Sequence, residues 1–233
     1  RGANRSRARV TIPIISRWKM LDNLRRTLVA PTAVLTLIAG WTLPFLSPVV
    51  CSLFIVSVFA IPALLPVLSG LVPPRRGISK RSHVRAVGMD LARAVSQISL
   101  ALTFLAHQAA LMADASLRAL FRLYVTRRKL LEWVSAAEAK AGFDMTLGSV
   151  YHAMGGVVVF SAAVAIAATL GPPGAWLVAV PFAFLWALSP AVAHWISLPA
   201  RAESTRPLSE QEVRMLRLTA RRTWRFFESF VSP

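Results

Sequence analysis

The sequence predicts an all-α membrane protein without strands: two transmembrane helical hairpins plus a long interfacial amphipathic helix. Three observations carry that prediction. The chain of 233 residues is 55% hydrophobic yet has a formal charge of +17, and its charges are segregated rather than interspersed, as soluble helices and strands require. All 27 Lys and Arg fall in 1–26, 75–93, 118–140 and 201–225, while 27–74 and 145–200 hold no Asp, Glu, Lys or Arg. Each uncharged run has a turn signal at its middle, "PFLSP" (44–48) and "GPPG" (171–174), and each half is close to the roughly 20 residues needed to cross a hydrocarbon core. Finally, the turns are uncharged and the flanking ends basic, which places the ends in the cytoplasm.

The elements follow in order. Residues 1–27 form a basic cytoplasmic segment. Within "RWKMLDNLRR" (17–26), Trp18, Leu21, Leu24 and Leu28 share one helical face opposite Lys19, Asn23 and Arg26. That is the pattern of an interfacial helix with its cations toward anionic lipid headgroups. Residues 28–72 form hairpin 1, with spans over 28–46 and 49–71. Residues 73–142 form a cytoplasmic or interfacial helical segment. Its stretch 94–113 is long enough to cross, but both flanks are basic, and a single crossing would strand one of them outside. Gln97, His107, Gln108 and Asp114 would also be costly against lipid. The stretch is therefore expected to lie in the interface or to pack beneath the hairpins. From Leu117 to Ala141, Leu120, Tyr124, Arg127, Leu131 and Val134 recur at helical spacing, and Gly142 ends the run.

Residues 150–198 form hairpin 2, with spans over 151–170 and 175–197. Gly155 and Gly156, with Ala163, Ala167 and Gly171 at four-residue spacing, offer a close-packing face. Prolines 31, 62, 66, 181 and 190 are tolerable where neighbouring helices satisfy freed carbonyls. Residues 199–233 are a cytoplasmic helix: Ser209 is its N-cap and Glu212 completes a capping box. Val213, Leu216, Ala220, Trp224 and Phe227 lie opposite Arg214, Arg217 and Arg221, a face that wants a partner, as the start of a truncated soluble domain would. With Arg as its first residue and no cleavable signal peptide, the chain is expected to be a piece of something longer.

Chemistry is sparse. Cys51 is the one cysteine, too few for a disulfide or a cysteine metal site, and reads as a small buried hydrophobe. The histidines at 83, 107, 152 and 194 lack metal-ligand spacing. No nucleophile elbow or phosphate loop is present, and Glu132 and Glu138 read as surface charges. No catalytic, cofactor-binding or metal residue is therefore expected. His107 and Asp114, seven apart, are the one constellation that could serve as a proton relay or ion site, against the plainer reading of a satisfied polar pair. Trp41, Trp176, Trp186 and Trp195 could stack on sugars, although Trp at helix ends more commonly anchors the interface. Nucleic-acid binding would need a basic stripe on a soluble surface; these basic blocks flank apolar spans instead. The residues alone leave open a small independent transporter or permease component, or a scaffold.

Three segments, "RWKMLDNLRRTLVAP" (17–31), "FLAHQAALMADASLRALFRLYVTRRKLLEWVSAAEA" (104–139) and "ARRTWRFFESFV" (220–231), resemble the bacterial cyclic β-1,2-glucan synthases. The resemblance implies the membrane-spanning region between a family 84 glycosyltransferase domain, which uses UDP-glucose and a divalent metal, and a glycoamylase-like domain followed by a phosphorylase-like one. It implies a multi-pass location in the bacterial inner membrane with both ends cytoplasmic. The implied partners are the lipid bilayer with anionic headgroups, the rest of the same polypeptide and the glucan, with no nucleic acid. The Gln-x-x-Arg-Trp element and the Asp motifs of such a transferase are absent here, so no catalytic residue carries over.

Overall fold

The computed structural model describes residues 13–71, 80–127, 146–198 and 208–231. They form six α-helices and, among the described residues, no strand: α1 (Ile14–Thr42), α2 (Pro48–Gly70), α3 (Lys80–Phe121), α4 (Leu147–Thr169), α5 (Ala175–Ser197) and α6 (Glu210–Phe230). Helices α1 to α5 belong to one compact unit and α6 to another.

α1 begins at Pro13, whose carbonyl accepts from Ser16 and Arg17, and runs without a break through Pro31. Pro31 removes one backbone donor; one residue on, the Thr32 hydroxyl donates to the Leu28 carbonyl at 2.7 Å. The basic segment and the first apolar segment are thus one helix, which ends at Thr42. Only 27–42 of α1 is uncharged, about 24 Å of helix at 1.5 Å per residue. α2 starts with Ser47 as N-cap and Pro48 in its first turn, where a missing N–H does no harm.

Among the described residues, four helices are long and apolar enough to cross a membrane: α2, α3 with its extension to Thr126, α4 and α5. α3 is in that set and α1 is not, because Arg25 and Arg26 sit within α1 close to its apolar half. α3 is packed among its neighbours, with Ala94, Thr103, Leu105, Ala106 and Ala109 buried. At its end a π-turn over Arg122–Thr126 gives way to Arg127 with φ 49°, whose N–H closes onto the Arg122 carbonyl at 2.7 Å. A left-handed residue after β-branched Val125 and Thr126 stops the helix. Leu131, Val134, Gly142, Glu132 and Glu138 lie outside the described residues.

The core joins Leu37 and Trp41 of α1, Ile55 of α2, Leu105 of α3, Val164 of α4 and Trp186 of α5. α4 turns Val150, Met154, Val157, Ser161, Val164 and Ala168 inward. This corrects the expected close-packing face: Ala163 is exposed, and a Cβ added to Gly155 or Gly156 would meet nothing within 4 Å. Of that set only Gly171 marks a close approach, its Cβ position falling on the Trp41 carbonyl. The outward faces carry Leu53, Phe54, Ile61 and Leu65 on α2, Ile166 on α4 and Phe184 on α5. So large an apolar surface is a liability in water and a match for hydrocarbon. In α6, Ser209 and Glu212 form the expected reciprocal capping box, and none of its residues is buried.

Candidate functional site

The best-defined place in the bundle is a helix junction built around two tryptophans. Ser47 and Pro48 start α2 immediately after α1 ends, so that Trp41, near the end of α1, faces Ser52, one turn into α2. The Trp41 indole donates to Ser52 Oγ at 2.9 Å, and that hydroxyl donates on to the Pro48 carbonyl at 2.8 Å. The same turn brings Gly40 against Cys51, where an added Cβ would lie 2.5 Å from Cys51 Cβ. Cys51 is half-buried there. From α5, Trp186 stacks on Phe160 with centroids 5.9 Å apart, lies 6.0 Å from Trp41 and 6.2 Å from Phe182. Its indole reaches across to α3 and donates to the Leu102 carbonyl at 3.1 Å. Both indole N–H groups are thus satisfied in a site closed to solvent, as buried tryptophans require. Trp41 and Trp186 are fully buried, so they are neither interface anchors nor sugar platforms; Trp176 and Trp195 are exposed.

The structure does not join His107 to Asp114. Asp114 is held by Arg118 one turn along α3, in an ion pair and a second bond from Arg118 Nε at 2.9 Å. His107 is half-buried. His83 lies at the start of α3 with Nε2 3.1 Å from the Leu71 carbonyl, and His194 Nδ1, at the end of α5, is buried without a partner among the described residues. Among those residues no three His, Cys, Asp or Glu side chains gather to hold a metal.

The basic ends are locally ordered. Asp22 accepts from Arg25 at 2.9 Å and from Arg26 at 2.6 Å, and the bond from Arg25 holds its carboxyl below the ordinary aspartate range. Glu212 is likewise lowered, by the Ser209 backbone N–H it accepts.

The Trp186 junction was not legible beforehand, since its bond to Leu102 spans 84 residues. A signal was nevertheless present: Ala175, Ala179, Phe182, Trp186 and Ser189 recur every three or four residues along α5.

The described residues form an all-helical segment with four helices long and apolar enough to cross a membrane. No protein-family model matches it. The chain is 36% identical, over 223 residues and 95% of its length, to the cyclic beta-(1,2)-glucan synthase NdvB of Rhizobium meliloti (strain 1021). It spans 8% of the length of that protein. The likeness read from three segments is thus a likeness along nearly the whole chain.

Proposed function

We propose that this chain is the membrane-embedded part of a cyclic β-1,2-glucan synthase, anchoring and positioning a UDP-glucose-dependent glycosyltransferase in the bacterial inner membrane. The observation that carries the reading is the 36% identity to such a synthase over 95% of the chain. The geometry favours an anchor over a conduit: the space where α1, α3, α4 and α5 meet is filled by Trp41, Phe160, Phe182 and Trp186, and the buried hydroxyls of Ser52, Thr103, Ser161 and Ser189 each donate to a carbonyl of their own helix. UDP-glucose and its divalent metal belong, on this reading, to the transferase, and any shelter for the growing glucan is formed with it at the cytoplasmic side. The topology proposed is four crossings, by α1, α2, α4 and α5 with α3 not crossing, which leaves both ends cytoplasmic. The competing transporter reading rested on His107 with Asp114, and the pairing of Asp114 with Arg118 leaves it without its constellation.

Topology reporters in the full-length polypeptide test this. Fusions near Arg76, Arg128 and Arg206 should read cytoplasm, and fusions at Leu46 and Pro173 periplasm. A periplasmic signal at Arg76 or at Arg128 would make α3 a crossing helix and overturn this topology.

A further inference from the structure

A groove of about 430 Å³ opens between α1, α3 and α4, lined by Pro31, Leu35, Ile38, Ala106, Ala113 and Gly156 among others. Its wall is almost wholly carbon, so a glucan placed there would leave its hydroxyls unpaired, at a cost of roughly 2–7 kcal/mol for each in a dry site. A hydrocarbon chain suits it.

The run of the groove follows from the tryptophan junction. Trp186 contacts Trp41 of α1 and the Leu102 carbonyl of α3, so those two points lie side by side. From there the groove passes backward along α1 to Pro31 and forward along α3 to Ala113, and the two helices are antiparallel along it. Arg26 lies five residues before Pro31, and Arg118 five residues after Ala113, each about 7.5 Å further at 1.5 Å per residue. The apolar groove therefore leads, on both walls, to a basic end. Over 13–30 and 114–127, Lys and Arg outnumber Asp and Glu seven to two. The two acids, Asp22 and Asp114, brace Arg25, Arg26 and Arg118 without cancelling the excess.

We propose that this groove seats one acyl chain of an anionic phospholipid, with the lipid phosphate among Arg25, Arg26, Arg118 and Arg122. Hydrocarbon fills the carbon-lined part, and the headgroup meets guanidinium forks suited to phosphate oxygens. Basic pockets between membrane helices bind acidic headgroups in this way. The proposal rests on the membrane-embedded reading above, which it deepens by naming a bound lipid.

Native mass spectrometry of the full-length polypeptide, released from membranes containing phosphatidylglycerol and phosphatidylcholine, tests it. The expected result is one retained phosphatidylglycerol per chain, preferred at least about tenfold over phosphatidylcholine, the preference that one to two cations near an anionic headgroup supply. Gly156→Leu fills the groove from a position where a Cβ meets nothing within 4 Å, and should cut retention at least tenfold. Gly155→Leu, equally unobstructed at its Cβ but off the groove, should leave retention intact. Arg118→Gln with Arg122→Gln should abolish the preference between headgroups. Full retention in Gly156→Leu, equal loss in Gly155→Leu, or no headgroup preference in the wild type would overturn the proposal. Absence of lipid from the wild type, with Gly156→Leu instead disturbing assembly, would assign the groove to a protein helix and overturn it as well. None of these results moves the topology reporters, so the anchoring reading stands or falls separately.

Discussion

α5 and α6 are of similar length, and each carries tryptophan, yet they are opposites. α5 is apolar on every side, with Pro181 and Pro190 inside it, and it contributes Trp186, one of the two fully buried tryptophans of the bundle. α6 has the strongly two-faced pattern that sequence reading trusts most, and buries nothing. Amphipathic spacing announces a face that wants covering without supplying its cover. A uniformly apolar helix hides its inward face from hydropathy, because lipid and protein interior are equally apolar; there small residues and ring shape choose the face.

The sharpest way to break the comparison is to remove one tryptophan from each helix. Trp186→Ala deletes the ring shared with Trp41, Phe160 and Phe182 and the bond to the Leu102 carbonyl, and should destabilise the bundle by about 3 kcal/mol. Trp224→Ala, 66% exposed, should change it by less than about 0.5 kcal/mol. Thermal unfolding in detergent measures both; similar losses from the two would mean that α6 is covered after all and that the contrast is wrong.

That contrast also sets what the sequence discloses. Helix positions were readable wherever charge or proline punctuated them: the span expected at 175–197 matches α5 residue for residue, and Ser209 and Glu212 cap α6 as their spacing requires. The rotation of α4 was not readable. Gly155, Gly156, Ala163 and Ala167 look like a packing stripe, but the row from Val150 to Ala168 turns inward instead, and of the two glycines Gly156 lines the groove. The continuity of α1 was missed for a different reason. A change from basic to apolar composition alters the solvent a helix meets, and nothing in the backbone obliges it to break there. His107 and Asp114 share a helix at a spacing that permits contact, but Arg118 is a turn closer to Asp114 and carries the opposite charge, so local pairing wins.

A smaller effect sharpens the distinction between a real close approach and an apparent one. Gly171→Ala places a Cβ on the Trp41 carbonyl, and neither backbone can yield cheaply; overpacking of this kind should cost about 2 kcal/mol. Gly155→Ala meets open space within a helix and should stabilise by about 0.5 kcal/mol through backbone entropy. Opposite signs in the unfolding midpoints are expected, and a neutral Gly171→Ala would remove the α1–α5 turn contact from the list of constraints.

The smallest effect concerns the capped start of α6, which owes nothing to burial. The Glu212 carboxylate accepts the Ser209 N–H at 2.7 Å, while Ser209 Oγ accepts the Glu212 N–H at 3.3 Å. The first bond is the main reason the Glu212 pKa falls below its ordinary 4.5. A carboxylate whose folded pKa is depressed lends stability that is fully present above the unfolded value and fades as pH falls through the folded one. Amide exchange at Glu212 and Val213 should therefore be slow and flat from pH 7 to about 5, after correction for intrinsic rates, with protection lost below pH 4.5. Ser209→Ala removes the hydroxyl acceptor and should cost the first turn about 1 kcal/mol at neutral pH, while the carboxylate bond to the residue 209 N–H, and with it the acid-side loss, persists. Glu212→Gln keeps an acceptor for that N–H but cannot titrate there. Its first turn should stay protected down to pH 3, and an unchanged acid-side loss in this variant would show that Glu212 does not cause it.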